Sequence, residues 1–426
     1  MPRSFQATHN LIAVSAGLKE TGINTEQTLD TTMLCALNNV INLEPRREHN
    51  GNEAIGKEEP DTIYDLGAMA GTPMDFPIAQ AQHFGFLLSY ALGVSTPTTL
   101  GAGKKHTITP IDGDLDASRS LPSFTAAQRY GKTILKRRFA SMFVDSFTAK
   151  FARDSWCSIS AQIKGTGKKT DNLTEESITA YIDGTSLTLA ANAVEGSDAA
   201  GRLANVQRIR VELKTGVWTE VSYSAVSGAT PAVITIVAPS ASHTQKTFKV
   251  LYIPTESGWM TFPSRITETP LRVSGITLKV GGAWSGSAFE GGRSLASEVK
   301  SLEWAFNNNL KTEFVMGSTG TYASSALREG RSQKIKLDRE FREFILQQHI
   351  ADNDTLGLYL KCEGALYDAT YKYQLELIFP QVAVLGSPIS VDGKRLAEAG
   401  DLQVLEHTTY GSVIAIVQNL QTGYAQ

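Results

Sequence analysis

Short runs in which apolar and polar residues alternate, bounded by Gly, Ser, Thr, Asn and Asp, fill most of the chain. A period of two is the mark of strands with one buried and one wet face, the usual arrangement in antiparallel sheets. Phe139 to Phe147 and Tyr371 to Phe379 are examples. Only two segments carry a helical period. From about Ile78 to Leu92, Ala81, Phe84, Leu88 and Leu92 fall on one stripe. From about Asp338 to Ala351, Phe341, Phe344, Ile345 and Ile350 group on one side. Arg339, Arg342, Glu343 and Gln347 lie mostly on the other, with Asp338 as the N-cap. The expected class is mainly β, of α+β type.

A repeat organises these elements. Ala36-Leu37-Asn38-Asn39 recurs as Ala305-Phe306-Asn307-Asn308. Each motif is followed by further strand, one amphipathic helix and about four strand-like runs. These lie near 104–111, 120–130, 137–151 and 155–164, then near 356–363, 371–381, 402–410 and 412–419. The pattern predicts two copies of one α+β unit, residues 1–168 and 264–426, separated by an insertion, 169–263. The insertion opens with a polar linker, Lys168 to Glu176. It continues through 177–262 with strands and no helix, including Val206 to Val217, Val233 to Ala238 and Phe248 to Ile253. A small β-sandwich, with an immunoglobulin-like topology as one option, fits that pattern. A strand-bearing connection packed on the two copies is the alternative.

At 426 residues, two or three domains are expected, and a net charge of −3 shows no basic footprint for gripping nucleic acid. Cys35, Cys157 and Cys362 are far apart in the sequence and odd in number. They read as free thiols of a reducing compartment and build neither a disulfide framework nor a zinc site. No apolar segment with a cleavage site follows Met1 to Phe5, and the stretch from Phe84 to Leu92 is too short to span a bilayer. Synthesis in the cytoplasm and no membrane association are expected.

The sequence carries no complete catalytic motif of the familiar kinds. Gly103-Lys104-Lys105 and Gly131-Lys132-Thr133 resemble the end of a phosphate loop, but Thr98 and Ala126 occupy the positions its first glycine needs. His9, His49, His83, His106, His243, His349 and His407 are scattered singly, outside metal-ligand spacing. No Gly-x-Ser-x-Gly elbow is present. The expectation is a non-enzyme without catalytic residues, cofactor or metal. Two basic clusters remain, Arg46-Arg47 and Lys136-Arg137-Arg138. Arg46, Arg47, Arg137 and Arg138 are candidates for pairing with Glu58-Glu59 or Glu175-Glu176 of a neighbouring subunit. Solvated loop charge is the other reading.

Leu121-Pro122-Ser123-Phe124-Thr125 with Tyr130-Gly131, Ser301 to Leu310 with its Asn-Asn pair, Arg328-Glu329-Gly330-Arg331, and Phe379-Pro380 follow one another in a telling order. Together they resemble the major tail tube proteins of long-tailed bacteriophages, the siphophage tail tube family. The resemblance covers most of both copies and skips the insertion. It implies tube domains at 1–168 and 264–426, with the insertion on the tube exterior. Each tube domain would be a β-sandwich or half-barrel with one flanking helix. It further implies a structural virion protein made in the host cytoplasm and assembled into stacked rings. Those rings would meet a tape measure protein, a tail terminator and distal tail proteins. Duplex DNA would pass without sequence-specific binding.

The residues themselves suit such a conduit. Leu302, Trp304 and Phe306 share one strand face, whereas Ser301, Glu303, Ala305 and Asn307 share the other. In the first copy Met33, Cys35 and Leu37 oppose Thr32, Ala36 and Asn38. Thr32, Ala36, Asn38, Ser301, Glu303, Ala305 and Asn307 are therefore the candidate lumen-facing residues. Strands about 4.8 Å apart and tilted roughly 40° give a 24-stranded barrel about 48 Å across, with a lumen of about 38 Å. That admits a duplex about 20 Å wide, whereas 12 strands would leave only about 14 Å. A trimer with pseudo-sixfold symmetry is the preferred ring and a hexamer the alternative. The rival reading is a receptor- or glycan-binding virion module working through surface aromatics such as Trp218, Tyr223, Tyr252 and Trp259.

Overall fold

A computed structural model describes residues 6–112, 120–130, 136–180, 185–237, 246–255, 262–314 and 321–426. The chain is mainly β, with three α-helices among the described residues: α1 (Ala81–Leu92), α2 (Ala199–Asn205) and α3 (Ile345–Asp352). It divides into two compact units. One comprises 1–11, 128–138 and 169–261; the other comprises 12–127, 139–168 and 262–426.

The smaller unit pairs two antiparallel sheets around one core. Strands Thr174–Ala180, Lys246–Tyr252, Val206–Lys214 and Val217–Glu220 form one sheet in that order. Ser186–Thr188, Val233–Ile236 and Tyr223–Val226 form the other. Leu187, Ile209, Val211, Ile234, Ile236, Phe248 and Val250 fill the space between. Helix α2 interrupts the helix-free stretch that the sequence pattern predicts. Asp198 caps it, its carboxylate accepting from the Gly201 amide at 2.6 Å.

Eight strands carry the argument in the larger unit: β1 (Asn42–His49), β2 (Ile63–Phe76), β3 (Lys136–Ala152), β4 (Ser158–Gly165), β5 (Val299–Asn307), β6 (Ser332–Glu340), β7 (Lys372–Gly386) and β8 (Arg395–Val404). Their antiparallel pairings run β1-β2-β4-β3-β5-β6-β8-β7 without a break. The first copy thus supplies its four strands in the order 1-2-4-3, and the second repeats it as 5-6-8-7. Most of both copies lies in the larger unit, and they share this sheet. It is open in the single chain, because β1 and the end of β7 do not pair with each other.

A second antiparallel layer runs through Gly93–Leu100, Gly103–Pro110, Ile414–Asn419, the first half of β7, Leu356–Leu366, Ile276–Trp284 and Phe289–Ser294. Helix α1 is buried at all twelve positions, so it belongs to the core rather than flanking it. Its Phe84 stacks near Phe151, and Phe86 and Tyr90 pack edge-on against Phe124.

The second helix departs from the sequence reading. Residues 338–340 belong to strand β6, and α3 begins only at Ile345, so Asp338 is not its cap. Ser332 to Glu340 alternates strictly between exposed and buried positions, and that period of two wins over the aromatic spacing further on. Within α3 only Leu346 is buried, and Phe344 and Ile350 remain exposed. Arg339, assigned to a wet helix face, is fully buried; its guanidinium meets Glu398, and Glu298 at 3.2 Å. The strand expected near 402–410 ends at Val404. All three cysteines are free, yet the Cys157 and Cys362 sulfurs lie 3.4 Å apart in the core, one from each copy.

Candidate functional site

The eight-stranded sheet has one dry and one wet face. On β5, Leu302, Trp304 and Phe306 are buried while Ser301, Glu303, Ala305 and Asn307 are partly exposed. Cross-strand register extends this wet face into rows that cross both copies. One row reads Asp75, Ser160, Thr148, Ala305, Lys334, Gln403 and Ala383. Another reads Pro73, Gln162, Ser146, Asn307 and Ser332. No large apolar side chain stands in either row. Such a surface stays hydrated and offers little for a polymer to stick to.

A third row is charged. Lys150 lies opposite Glu303, Glu303 opposite Lys336, and Lys336 opposite Asp401. Opposite charges facing across neighbouring strands stabilise the pairing modestly. Glu303 is thus flanked by two lysines, and the row alternates in sign. Sequence reasoning singled out Glu303 and missed Lys150, Lys336 and Asp401. The alternation of Ser332 to Glu340 held the signal for Lys336, but those residues were partly assigned to a helix.

The first-copy candidates fall elsewhere. Thr32 is only 2% exposed, and its hydroxyl donates to the Pro263 carbonyl at 2.6 Å. Ala36 and Asn38 follow the strand Thr31–Met33, which stops before them; Ala36 is partly exposed and Asn38 exposed. Leu37, expected in the dry core, is 62% exposed. The two-faced strand read from Thr32 to Asn38 is therefore formed only at its start. The repeated asparagines have a different use. Asn308 is buried, and its amide donates to the carbonyls of Ala91 and Val144 at 3.0 and 3.1 Å. Asn39, also buried, donates to the Asp75 carbonyl at 3.3 Å.

Both ends of the sheet are bare. Strand β1 is exposed along most of its length, with Arg46 and Arg47 at the surface. Arg46 stacks over the Phe314 ring at 4.8 Å, and neither arginine forms an ion pair among the described residues. At the other end, Ile389–Asp392 continues the edge of β7 along β8 and is exposed throughout. Arg137, expected to pair between subunits, is satisfied within its own chain. Its guanidinium forms a two-pronged ion pair with Asp171, brought there by the adjoining segment Lys169–Asp171. Arg138 is partly exposed. Glu175 likewise pairs with Arg210 at 3.0 Å, and Glu176 accepts from the Tyr252 hydroxyl and the Ala190 amide.

The aromatics of the rival reading are mostly occupied. Tyr252 is buried, and Tyr223 donates to the Val206 carbonyl at 2.6 Å. Trp218 is partly exposed between Lys249 and Arg210, whose charged groups lie 4.8 and 5.6 Å from its ring. Trp259, His243, Ala238 and Gly131 to Thr133 lie outside the described residues. Among the described residues no cluster of His, Cys, Asp or Glu is arranged to hold a metal, and no helix is long and apolar enough to cross a membrane. His83 and His106 are buried, and burial lowers them to about 3 and about 4, which keeps both rings neutral at ordinary pH. No protein-family model matches the chain, and no curated protein matches it.

Proposed function

We propose that this chain is a structural subunit of a phage tail tube, without catalytic activity, whose copies join into stacked rings that conduct duplex DNA. One observation carries the reading. Two copies of a motif lay four strands each into one antiparallel sheet, polar on one face and unpaired at both ends. Exposed strand edges invite pairing with another chain, and closure into a barrel removes them. Three copies joined end to end would contribute twenty-four strands, the number whose lumen of about 38 Å passes a duplex. The alternating Lys150, Glu303, Lys336 and Asp401 row gives such a lumen little net charge. DNA would then be neither gripped nor repelled.

Electron microscopy of the concentrated protein, viewed down the assembly axis, tests this. Rings or tubes with a central hole and threefold averages are expected; folded monomers at every concentration would overturn it. Glu303→Lys would set three lysines side by side. Tubes of that variant should retain duplex at low salt and release it at high salt. Retention equal to the parent's would remove Glu303 from the conduit.

A further inference from the structure

Each repeated Asn-Asn pair is followed by a β-hairpin, and the two hairpins differ in what lies beneath them. After Asn307-Asn308, strands Leu310–Glu313 and Ser325–Arg328 pair with each other and lie across the first copy. The Leu310 amide donates to Asp145 Oδ1 at 2.7 Å, and the Lys164 ammonium donates to the Leu310 carbonyl at 3.1 Å. Further out, the Thr312 hydroxyl meets the Met69 sulfur at 3.0 Å, and the Ala68 amide donates to the Thr321 carbonyl at 2.8 Å. Leu310 and Ala326 are buried against Leu121 and Phe143. After Asn38-Asn39, the corresponding hairpin is β1 with the first half of β2. Its outer part lies in solvent, where Ile63, Tyr64 and Leu66 are 69%, 43% and 44% exposed.

The surface under the covered hairpin has a bare counterpart in the second copy. Strand β3 carries a bulge: Val144 is opposite Ile163 and Ser146 opposite Gln162 on β4, with Asp145 as the extra residue. Strand β7 carries the same bulge against β8. Val384 is opposite Leu402 and Gly386 opposite Asp401, with Leu385 as the extra residue. In the order 1-2-4-3 and 5-6-8-7, β7 holds the position of β3, so Leu385 corresponds to Asp145. Asp145, beneath its hairpin, is 8% exposed; Leu385 is 60% exposed. A leucine at that position has no use for an amide or an ammonium, and what it lacks is apolar cover.

We propose that Leu385 is the seat for the β1–β2 hairpin of a second copy, which brings its exposed Tyr64 and Leu66 onto it. That hairpin would lie across the second copy of the motif as the Leu310–Glu313 and Ser325–Arg328 hairpin lies across the first. The inference rests on the self-assembly reading and adds to it a contact that joins the subunits. Within one chain the two surfaces sit at opposite ends of the eight-stranded sheet, β1 at one and β7 at the other. A contact between two different patches repeats head to tail and closes into a ring when its rotation allows. Taking Leu66 and Leu385 out of water favours the joined state.

Sedimentation over a concentration series tests the contact. Leu385→Lys and Leu66→Asp should each raise the concentration needed for assembly by about tenfold or more, with urea unfolding of the unassembled chain unchanged. The double variant should assemble more readily than either single one, because opposite charges then face each other across the junction. Val217→Lys, at a comparably exposed apolar position on the smaller unit, should assemble like the parent. Single variants at Leu385 and Leu66 that assemble at the parent's concentration would overturn the docking and leave self-assembly standing. A parent that never assembles would overturn both. If a variant fails to fold, hydroxyl-radical labelling of the parent decides. Labelling of Tyr64, Leu66 and Leu385 should fall on assembly while that of Val217 stays, and unchanged labelling of all four would sink the proposal.

Discussion

The two copies use one strand order and differ in what covers them. In the second copy the leading strand β5 is flanked on both sides, and Leu302, Trp304 and Phe306 are dry. The stretch that the repeated Ala-x-Asn-Asn motif aligns with it, just before β1 in the first copy, is a strand for three residues, paired with Leu11–Val14, and then leaves the ladder with Leu37 in water. Alternating sequence is present in both. A strand at the edge needs a neighbour's hydrogen bonds and apolar surface to hold its pattern, and local propensity does not replace them. The helices diverge in the same way: α1 is wholly buried, while α3 buries Leu346 alone.

The sharpest way to break this comparison is to truncate equivalent positions. Trp304 packs edge-on against Phe147 at 4.8 Å and Phe379 at 5.1 Å, and its indole N–H donates to Gln333 at 3.3 Å. Trp304→Ala should cost about 3–5 kcal/mol, read from urea unfolding of the unassembled chain. Leu37→Ala should stay within about 0.5 kcal/mol there. A comparable cost for both would mean that the first-copy segment is already covered. Arg339→Ala belongs with the larger effect. It would leave Glu398 buried without its cation and Glu298 with Arg293 alone at 3.4 Å, a change of about 3–5 kcal/mol in the same assay.

The two helices differ in the carboxylates buried beside them. Glu398, on strand β8 of the copy that holds α3, has Arg339; Glu268, at the first turn of α1, has no ion pair among the described residues. One oxygen accepts from the Gln82 amide at 2.8 Å and the other has no partner. Burial pushes the Glu268 carboxyl up to about 8, against that single donor. The unfolded chain loses this proton near pH 4.5 and the folded chain keeps it until about pH 8. The group's contribution is therefore full below about pH 4.5 and drains away as pH rises toward 8. His83 works in the opposite sense below its ordinary value of 6.5, since burial keeps it neutral down to about 3. The window from pH 6.5 to 8 isolates Glu268, with Tyr373 and Tyr424 the tyrosines its charge reaches. Glu268→Gln should remove a pH-dependent loss of roughly 1–2 kcal/mol, measured by urea titration across that range. Parallel pH profiles for parent and variant would count against it.

Much of the fold was legible in the sequence because its cause is local. Period-two runs gave the strands around 103–110, 124–129, 136–152 and 356–386, and the stripe from Ala81 to Leu92 gave α1. What stayed hidden depends on residues far away in the chain. Nothing near Arg339 announces that Glu298 and Glu398 will surround it, so a charged residue beside aromatics reads as the wet side of a helix. Cys157 and Cys362 approach only because the two copies pack into one unit. The wet face of β5 was readable from Ser301 to Asn307. Its charge balance was not, because Lys150 and Lys336 come from neighbouring strands.

The repeated asparagines allow the finest test, since the same motif ends a covered strand in one copy and an uncovered one in the other. The Asn308 side chain bridges two buried carbonyls, the last turn of α1 at Ala91 and strand β3 at Val144. Removing it strands two acceptors that water cannot reach, so Asn308→Ala should cost about 1–2 kcal/mol in urea unfolding. Asn39 makes a single, longer bond, to the Asp75 carbonyl, and that carbonyl also accepts from the Ala36 amide. Asn39→Ala should therefore cost about 0.5–1 kcal/mol in the unassembled chain. Equal costs at the two positions would mean that the motif is held alike in both copies, whatever lies beside it.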